Sequence, residues 1–216
     1  LTERMAKDKT HVYELLHTLE TPSREAAEKE MQAMVDFARN LGFNEDFERW
    51  DMSYYAEKQK ESLLNFNEEE LKMYFPLDRV INGVFGFAHQ LYDLDFVETK
   101  DIPVYQEDVK TYYVYRKDQI IAILYLDFFP RENKKGGAWM TSFREQHKTA
   151  EGKNIIPLVS LVMNFTPPTA DKPSLLTFNE LNTFMHEFGH ALHGMLSEVT
   201  YTISRSEERR VGKECR

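Results

Sequence analysis

The chain has 216 residues, 42% of them apolar, enough to bury the core of one large domain or two small ones. Its 36 acidic and 27 basic residues leave a net charge of −9, which repels a phosphate backbone and argues against nucleic acid as a partner. The longest apolar run, IIAILYL at 120–126, is strand-sized and far short of the roughly 20 residues a membrane span needs, so no membrane partner is expected. A single cysteine, Cys215, leaves no intrachain disulfide, and a cytoplasmic location is the expectation.

Leu1 is not an initiator methionine. The opening LTERMAKDKTHVYELL reads as a helix entered midway, with no signal-peptide pattern, so the true N-terminus is expected to lie outside the sequence. The next segment places Thr21 as an N-cap, Pro22 at the first helical position and Gly42 just past the end. Asp51 is placed to cap a helix through MSYYAEKQKESLL, Asn67 and Glu70 form a cap-and-return pair before a short helix stopped near Pro76, and Asp78 is placed to cap RVINGVFGFAHQLY. Trp50, Tyr54 and Tyr55 fit an aromatic cluster between packed helices. Residues 1–95 therefore form a helical region.

From about Phe96 the pattern turns to β. DVKTYYVYRKDQIIAILYLDFF is two β-rich runs around Lys117 and Asp118, and IIPLVSLVMNF at 155–165 is a third, giving a small, largely antiparallel sheet. Between the second and third runs lies PRENKKGGAW, a connection whose Arg131, Lys134 and Lys135 either attract a substrate carboxylate or form a solvated loop. The run ending near Asn164 and Phe165 is a candidate for pairing with an extended peptide if it lies at a sheet edge.

Thr177 and Glu180 form a Thr-x-x-Glu capping box that opens a helix running to about Ser197. Leu181, Phe184, Met185, Phe188, Leu192 and Met195 recur at steps of three and four, so one face is buried while His186 and His190 share an adjoining stripe. Residues four apart rise about 6 Å on one face, so both imidazoles can converge on one ion at Zn–N distances near 2.0–2.1 Å. Glu187 is one step round the helix, placed to act as general base on a water at that ion. His193 cannot join the pair, because seven residues from His186 is about 10 Å of rise. A longer zinc pattern, with glycine three and histidine six residues past the second ligand, fails because those positions hold His193 and Leu196. Gly189, inside the helix, suggests either close backbone approach or simple packing. His11, His17, His89 and His147 have no ligand spacing and are assigned to structure or surface.

HEFGHALHG preceded by LLTFNELNTF, with LYLDFFPRENKKGGAW and LVMNF upstream, resembles the thimet oligopeptidase and peptidyl-dipeptidase family of zinc metallopeptidases over about residues 1–201. WDMSYYAEK and KDIPVY fit its bacterial peptidyl-dipeptidase branch. The resemblance implies a mainly α fold with a small antiparallel sheet, a zincin-like helical peptidase, here truncated. It implies one Zn2+ per complete active site, held by His186 and His190, with Glu187 catalytic and short peptides as substrates. It also implies a third ligand, a glutamate about 25 residues past the second histidine. That count reaches Cys215, with Glu214 one short, in a charge-rich tail expected to be foreign from about Thr202 or Arg205 onward, so the third ligand and the family's later tyrosine and histidine donors are expected to be missing and the polypeptide weakly active. The expected organisation is a helical region 1–95, a catalytic-core part 96–201 and an atypical tail 202–216. The rival reading is a non-catalytic helical peptide-binding module; another zinc hydrolase, such as an amidase, is a third.

Overall fold

The computed structural model describes residues 5–64 and 68–201, which fall into two compact units on either side of a boundary between 67 and 68. The expected division near residue 95 follows the change from helix to strand, whereas the packing divides at 67/68. The expected tail at 202–216, with Glu214 and Cys215, lies outside the described residues.

In the first unit, α1 spans Lys9–Asn40 and α2 spans Met52–Leu64. The helix has its own start: the Asp8 carboxylate accepts from the Thr10 and His11 amides at 2.8 and 3.2 Å, satisfying two of the amides every helix leaves open at its N-terminus. Thr21 and Pro22 consequently start nothing, since Pro22 lies inside α1. The missing amide and ring clash of an interior proline cost about 3 kcal/mol, which the long run of flanking turns offsets. After α1, Gly42 takes φ 91°, a backbone suited to glycine, and Phe43 and Phe47 fold back onto Tyr55 of α2 with ring centroids 5.2 and 5.7 Å away. Tyr54 stacks edge-on against Tyr55, but Trp50 is 76% exposed and outside the cluster. Asp51 precedes α2 as expected, yet its side chain turns back to the Glu48 amide at 2.9 Å.

In the second unit, α3 (Glu68–Lys72) and α4 (Leu77–Tyr92) precede β1 (Leu94–Thr99), β2 (Lys110–Arg116), β3 (Gln119–Asp127), β4 (Trp139–Arg144), the short β5 (His147–Lys148) and β6 (Asn154–Ile155), then β7 (Leu158–Val162) and α5 (Phe178–Leu196). The cap pair proposed at Asn67 falls on a residue outside the description. Asp78 does not cap α4, whose N-cap is Pro76; it sits in the first turn and pairs with Lys110 at 3.2 Å.

The main sheet has the order β1-β2-β3-β7-β4. Lys117, at φ 55°, makes the two-residue turn of the β2–β3 hairpin. The sheet is mixed rather than purely antiparallel, because β3 and β7 run parallel, Tyr125 opposite Ser160. That arrangement requires the chain to leave the sheet between them, and β4 returns on the far side, antiparallel to β7. Leu94, Val114, Ala122, Leu124, Leu126, Val159 and Leu161 alternate onto one face, all fully buried beneath α4 and α5. Aromatic rings continue this core. Phe85 of α4 stacks on Phe96 at 4.0 Å, Phe188 packs on both, Phe184 packs on Phe188, and Phe128 and Phe165 close on Phe184 at 5.5 and 6.3 Å. Such pairs add about 0.5–1.5 kcal/mol each beyond the area they bury. No described helix is long and apolar enough to cross a membrane.

Candidate active site

The helix α5 is fixed at its start by the expected capping box. Thr177 Oγ1 accepts from the Glu180 amide at 3.0 Å, and Glu180 Oε2 accepts from the Thr177 amide at 2.8 Å. Backbone bonds from Leu77 to the Ser174 carbonyl and from Leu176 to the Phe75 carbonyl, each 2.9 Å, tie this start to that of α4. Phe184, Phe188, Ala191 and Met195 are buried, with Leu181 and Leu192 at the margin, so the helix is seated on β3, β7 and β4. Met185 departs from the expected face and is 39% exposed. Gly189 is exposed, and among the described residues no atom from beyond its own helical turn lies within 4 Å of where its Cβ would be, so no close backbone approach is seen there.

Seating α5 this way turns His186 and His190 toward each other, with Nε2 atoms 3.2 Å apart and ring centroids 4.8 Å apart. Two nitrogens bound tetrahedrally to one zinc at the usual distance stand about 3.3 Å apart, so the separation of this pair matches that of two nitrogens on one such ion. Two imidazole donors also suit zinc's chemistry. Glu187 is 4% exposed, one residue from His186 and three from His190. His193 is exposed on the last turn. Among the described residues no cluster of three His, Cys, Asp or Glu side chains forms a metal cage. The remaining histidines make local contacts: His11 with Asp8, His17 with Glu20, His89 with Asp95, and His147 with the Glu145 carbonyl.

Among the described strands, the sheet has an edge beside this helix. The strand ending near Asn164 is not that edge, because β7 lies between β3 and β4; the edge on the α5 side is β4, which the sequence had hidden within a connection. Arg131 and Lys134 are not a freely solvated basic pair, since both are turned onto Asp127. Arg131 grips both carboxylate oxygens of Asp127 at 2.8 and 2.9 Å, and Lys134 Nζ donates to Asp127 Oδ1 at 2.8 Å and to the Asp127 and Phe129 carbonyls at 3.0 and 2.8 Å. Tyr105 donates its hydroxyl to Asp127 Oδ2 at 2.9 Å. Burial alone would push the Asp127 carboxyl up, but the hydrogen bonds from Arg131, Lys134 and Tyr105 outweigh it and hold the group below its ordinary value. Burial pushes the Lys134 ammonium down, against the pull of Asp127. Sequence reasoning missed Asp127 and Tyr105. The available signal was a carboxylate closing an apolar strand, with cations four and seven residues later.

The family model for peptidase family M3 matches residues 1–207. The chain belongs to peptidase family M3. Among curated relatives, it is 36% identical to Oligopeptidase A of Escherichia coli over 92% of this chain and 29% of the relative. It is 35% identical to Dipeptidyl carboxypeptidase of the same organism over 93% of this chain and 29% of the relative. It is also 40% identical to the organellar oligopeptidase A of Arabidopsis thaliana, over 86% and 24%. The chain thus spans under a third of the length of these relatives. A one-point difference in identity between the two bacterial proteins does not choose between oligopeptidase and dipeptide-releasing branches. M3 members are metallopeptidases, and the relatives' names speak of peptide substrates.

Proposed function

We propose that this chain carries the zinc-binding helix and the peptide-binding edge of an M3 oligopeptidase that hydrolyses short peptides in the cytoplasm. The observation that carries the proposal is the 3.2 Å separation of the His186 and His190 Nε2 atoms on a capped, buried helix. In that reading His186 and His190 hold zinc, which would polarise the scissile carbonyl and acidify water. Glu187 accepts the proton from the attacking water and returns it to the leaving amine. The β4 edge receives the peptide as an added strand, its free backbone groups fixing the substrate's direction while α5 lies beneath the same half of the sheet. Two histidines are two ligands of the three a catalytic zinc site takes. The polypeptide by itself is therefore expected to take zinc weakly and to turn over peptides slowly.

The test is metal analysis of the purified chain by equilibrium dialysis against zinc, with three variants. His186→Ala and His190→Ala are expected to abolish specific uptake, and Glu187→Gln to retain it. Uptake unchanged by both histidine variants would remove the metal-binding proposal. Tight, stoichiometric zinc with rapid peptide hydrolysis by this chain would overturn the expectation of weakness.

A further inference from the structure

The segment between β3 and the β4 edge is held by side chains from both neighbouring strands. From the end of β3, Asp127 reaches forward to Arg131 and Lys134, and Lys134 locks back onto the Asp127 and Phe129 carbonyls. From beyond the end of β7, the Asn164 side-chain amide donates to the Lys135 carbonyl at 2.9 Å and to the Gly137 carbonyl at 2.8 Å. Gly137 takes φ 94°, a conformation side-chain-bearing residues avoid, and Trp139 opens β4 two residues later. The connection thus has two fixed points, and both lie immediately before the strand proposed to receive peptide.

We infer that Asn164, acting with the Asp127–Arg131–Lys134 clamp, is a positioning residue that sets the height and register of the β4 edge for peptide binding. Asn164 touches no reacting group. Its amide spends both hydrogens on carbonyls of the connection, so the main chain of 135–137 is held at a set distance from the strand end. Register matters here because a one-residue slip of β4 against β7 would exchange inward and outward side chains and shift every free backbone group. The register already contains an irregularity between Ser142 and Arg144, which any slip of the near half would displace. The near half, at Trp139 opposite Val162, is where Asn164 and the clamp act.

The inference rests on the reading of β4 as the peptide-binding edge, and one experiment separates the two. Asn164→Asp keeps size and shape, removes both donors and sets a carboxylate against two carbonyl oxygens. Asn164→Gln tests rescue by a longer amide. Each is compared with the parent chain by hydrogen–deuterium exchange with mass spectrometry, with and without an acetylated, amidated alanine–leucine pentapeptide and zinc. In the parent, peptide is expected to slow exchange in β4. With two hydrogen bonds lost, Asn164→Asp is expected to speed exchange of 135–144 by roughly tenfold, leaving β2 and α5 unchanged, and to weaken peptide protection about fivefold or more. Asn164→Gln should recover part of both. If peptide leaves the parent's β4 unprotected, the edge reading fails. If peptide protects the parent and Asn164→Asp equally, or if the variant raises exchange throughout the sheet and α5, the edge reading stands and the positioning role of Asn164 is overturned.

Discussion

Asp127→Asn tests whether the clamp on the β3–β4 connection is held by charge. Asp127 is 2% exposed and its carboxylate accepts four hydrogen bonds, from Arg131 twice, Lys134 and Tyr105. The Lys134 side chain is also 2% exposed, so removing its counter-ion strands an ammonium in the interior, a loss that costs about 3–5 kcal/mol in comparable buried pairs. Arg131, 32% exposed, can recover water, so its share is closer to the ~0–1 kcal/mol of a surface pair. An independent ceiling comes from Lys134 shedding its proton. From an ordinary value of 10.5, neutralisation at pH 7 costs about 5 kcal/mol, and burial has already moved the group partway.

The expected loss from Asp127→Asn is therefore about 3–4 kcal/mol, read by urea unfolding at pH 7 through the fluorescence of Trp139 in β4. The double variant Asp127→Asn with Lys134→Met should recover most of it, since no uncompensated charge remains buried. The pH dependence follows from the lowered Asp127 value. Its contribution is complete above the ordinary carboxyl range near 3.8 and is lost as pH falls through the lower folded value, so the parent sheds that stability in acid and Asp127→Asn does not. A loss under about 1 kcal/mol, or a double variant weaker than the single one, would refute the account of a charge-held clamp.

Two further outcomes concern α5. Thr177→Ala removes one half of the capping box and should cost about 1 kcal/mol in urea unfolding, with a smaller loss for Glu180→Ala. Gly189→Ala should stabilise the chain by about 0.5–1 kcal/mol without lowering zinc uptake, because the glycine is helical, exposed and has open space where the methyl would go.

What the sequence made legible follows from the range of the forces involved. The capping box at Thr177 and Glu180 and the turn at Lys117 depend on residues within a few positions of one another, and each appears in the structure as expected, while His186 and His190, four apart, stand with their Nε2 atoms 3.2 Å from each other. Local grammar also misled. Thr-Pro at 21–22 is a good helix start, yet the stronger signal at Asp8 begins a helix that simply continues through Pro22. The sheet order was illegible because β4 carries few of the β-branched residues that mark a strand. Its pairing with β7 is set across about 20 residues of chain, a separation over which no periodicity speaks. The clamp was illegible for a related reason: Arg131 and Lys134 look like a solvated basic loop until Asp127 is known to lie buried beneath them.

On the proposed function, the site has to reconcile rigidity with access. In that reading, the helical turn itself holds the separation of the two histidine nitrogens, while their placement against the sheet holds only if the helix cannot rotate or slide. Here rotation is blocked by Phe184 and Phe188 wedged among Phe85, Phe96, Phe128 and Phe165, and sliding is resisted by the backbone bonds just before the Thr177 cap, Leu176 to the Phe75 carbonyl and Leu77 to the Ser174 carbonyl. A peptide nevertheless needs open backbone groups nearby, and a sheet exposes these only along its edges. Packing α5 under β7 and β4 satisfies both demands with one contact, since the apolar underside of the outer strands immobilises the helix while the outermost strand keeps its free side. The edge strand has a neighbour on one side only and cannot draw its own placement from the core. The buried Asp127 clamp and the Asn164 amide supply it from the two strand ends next to it.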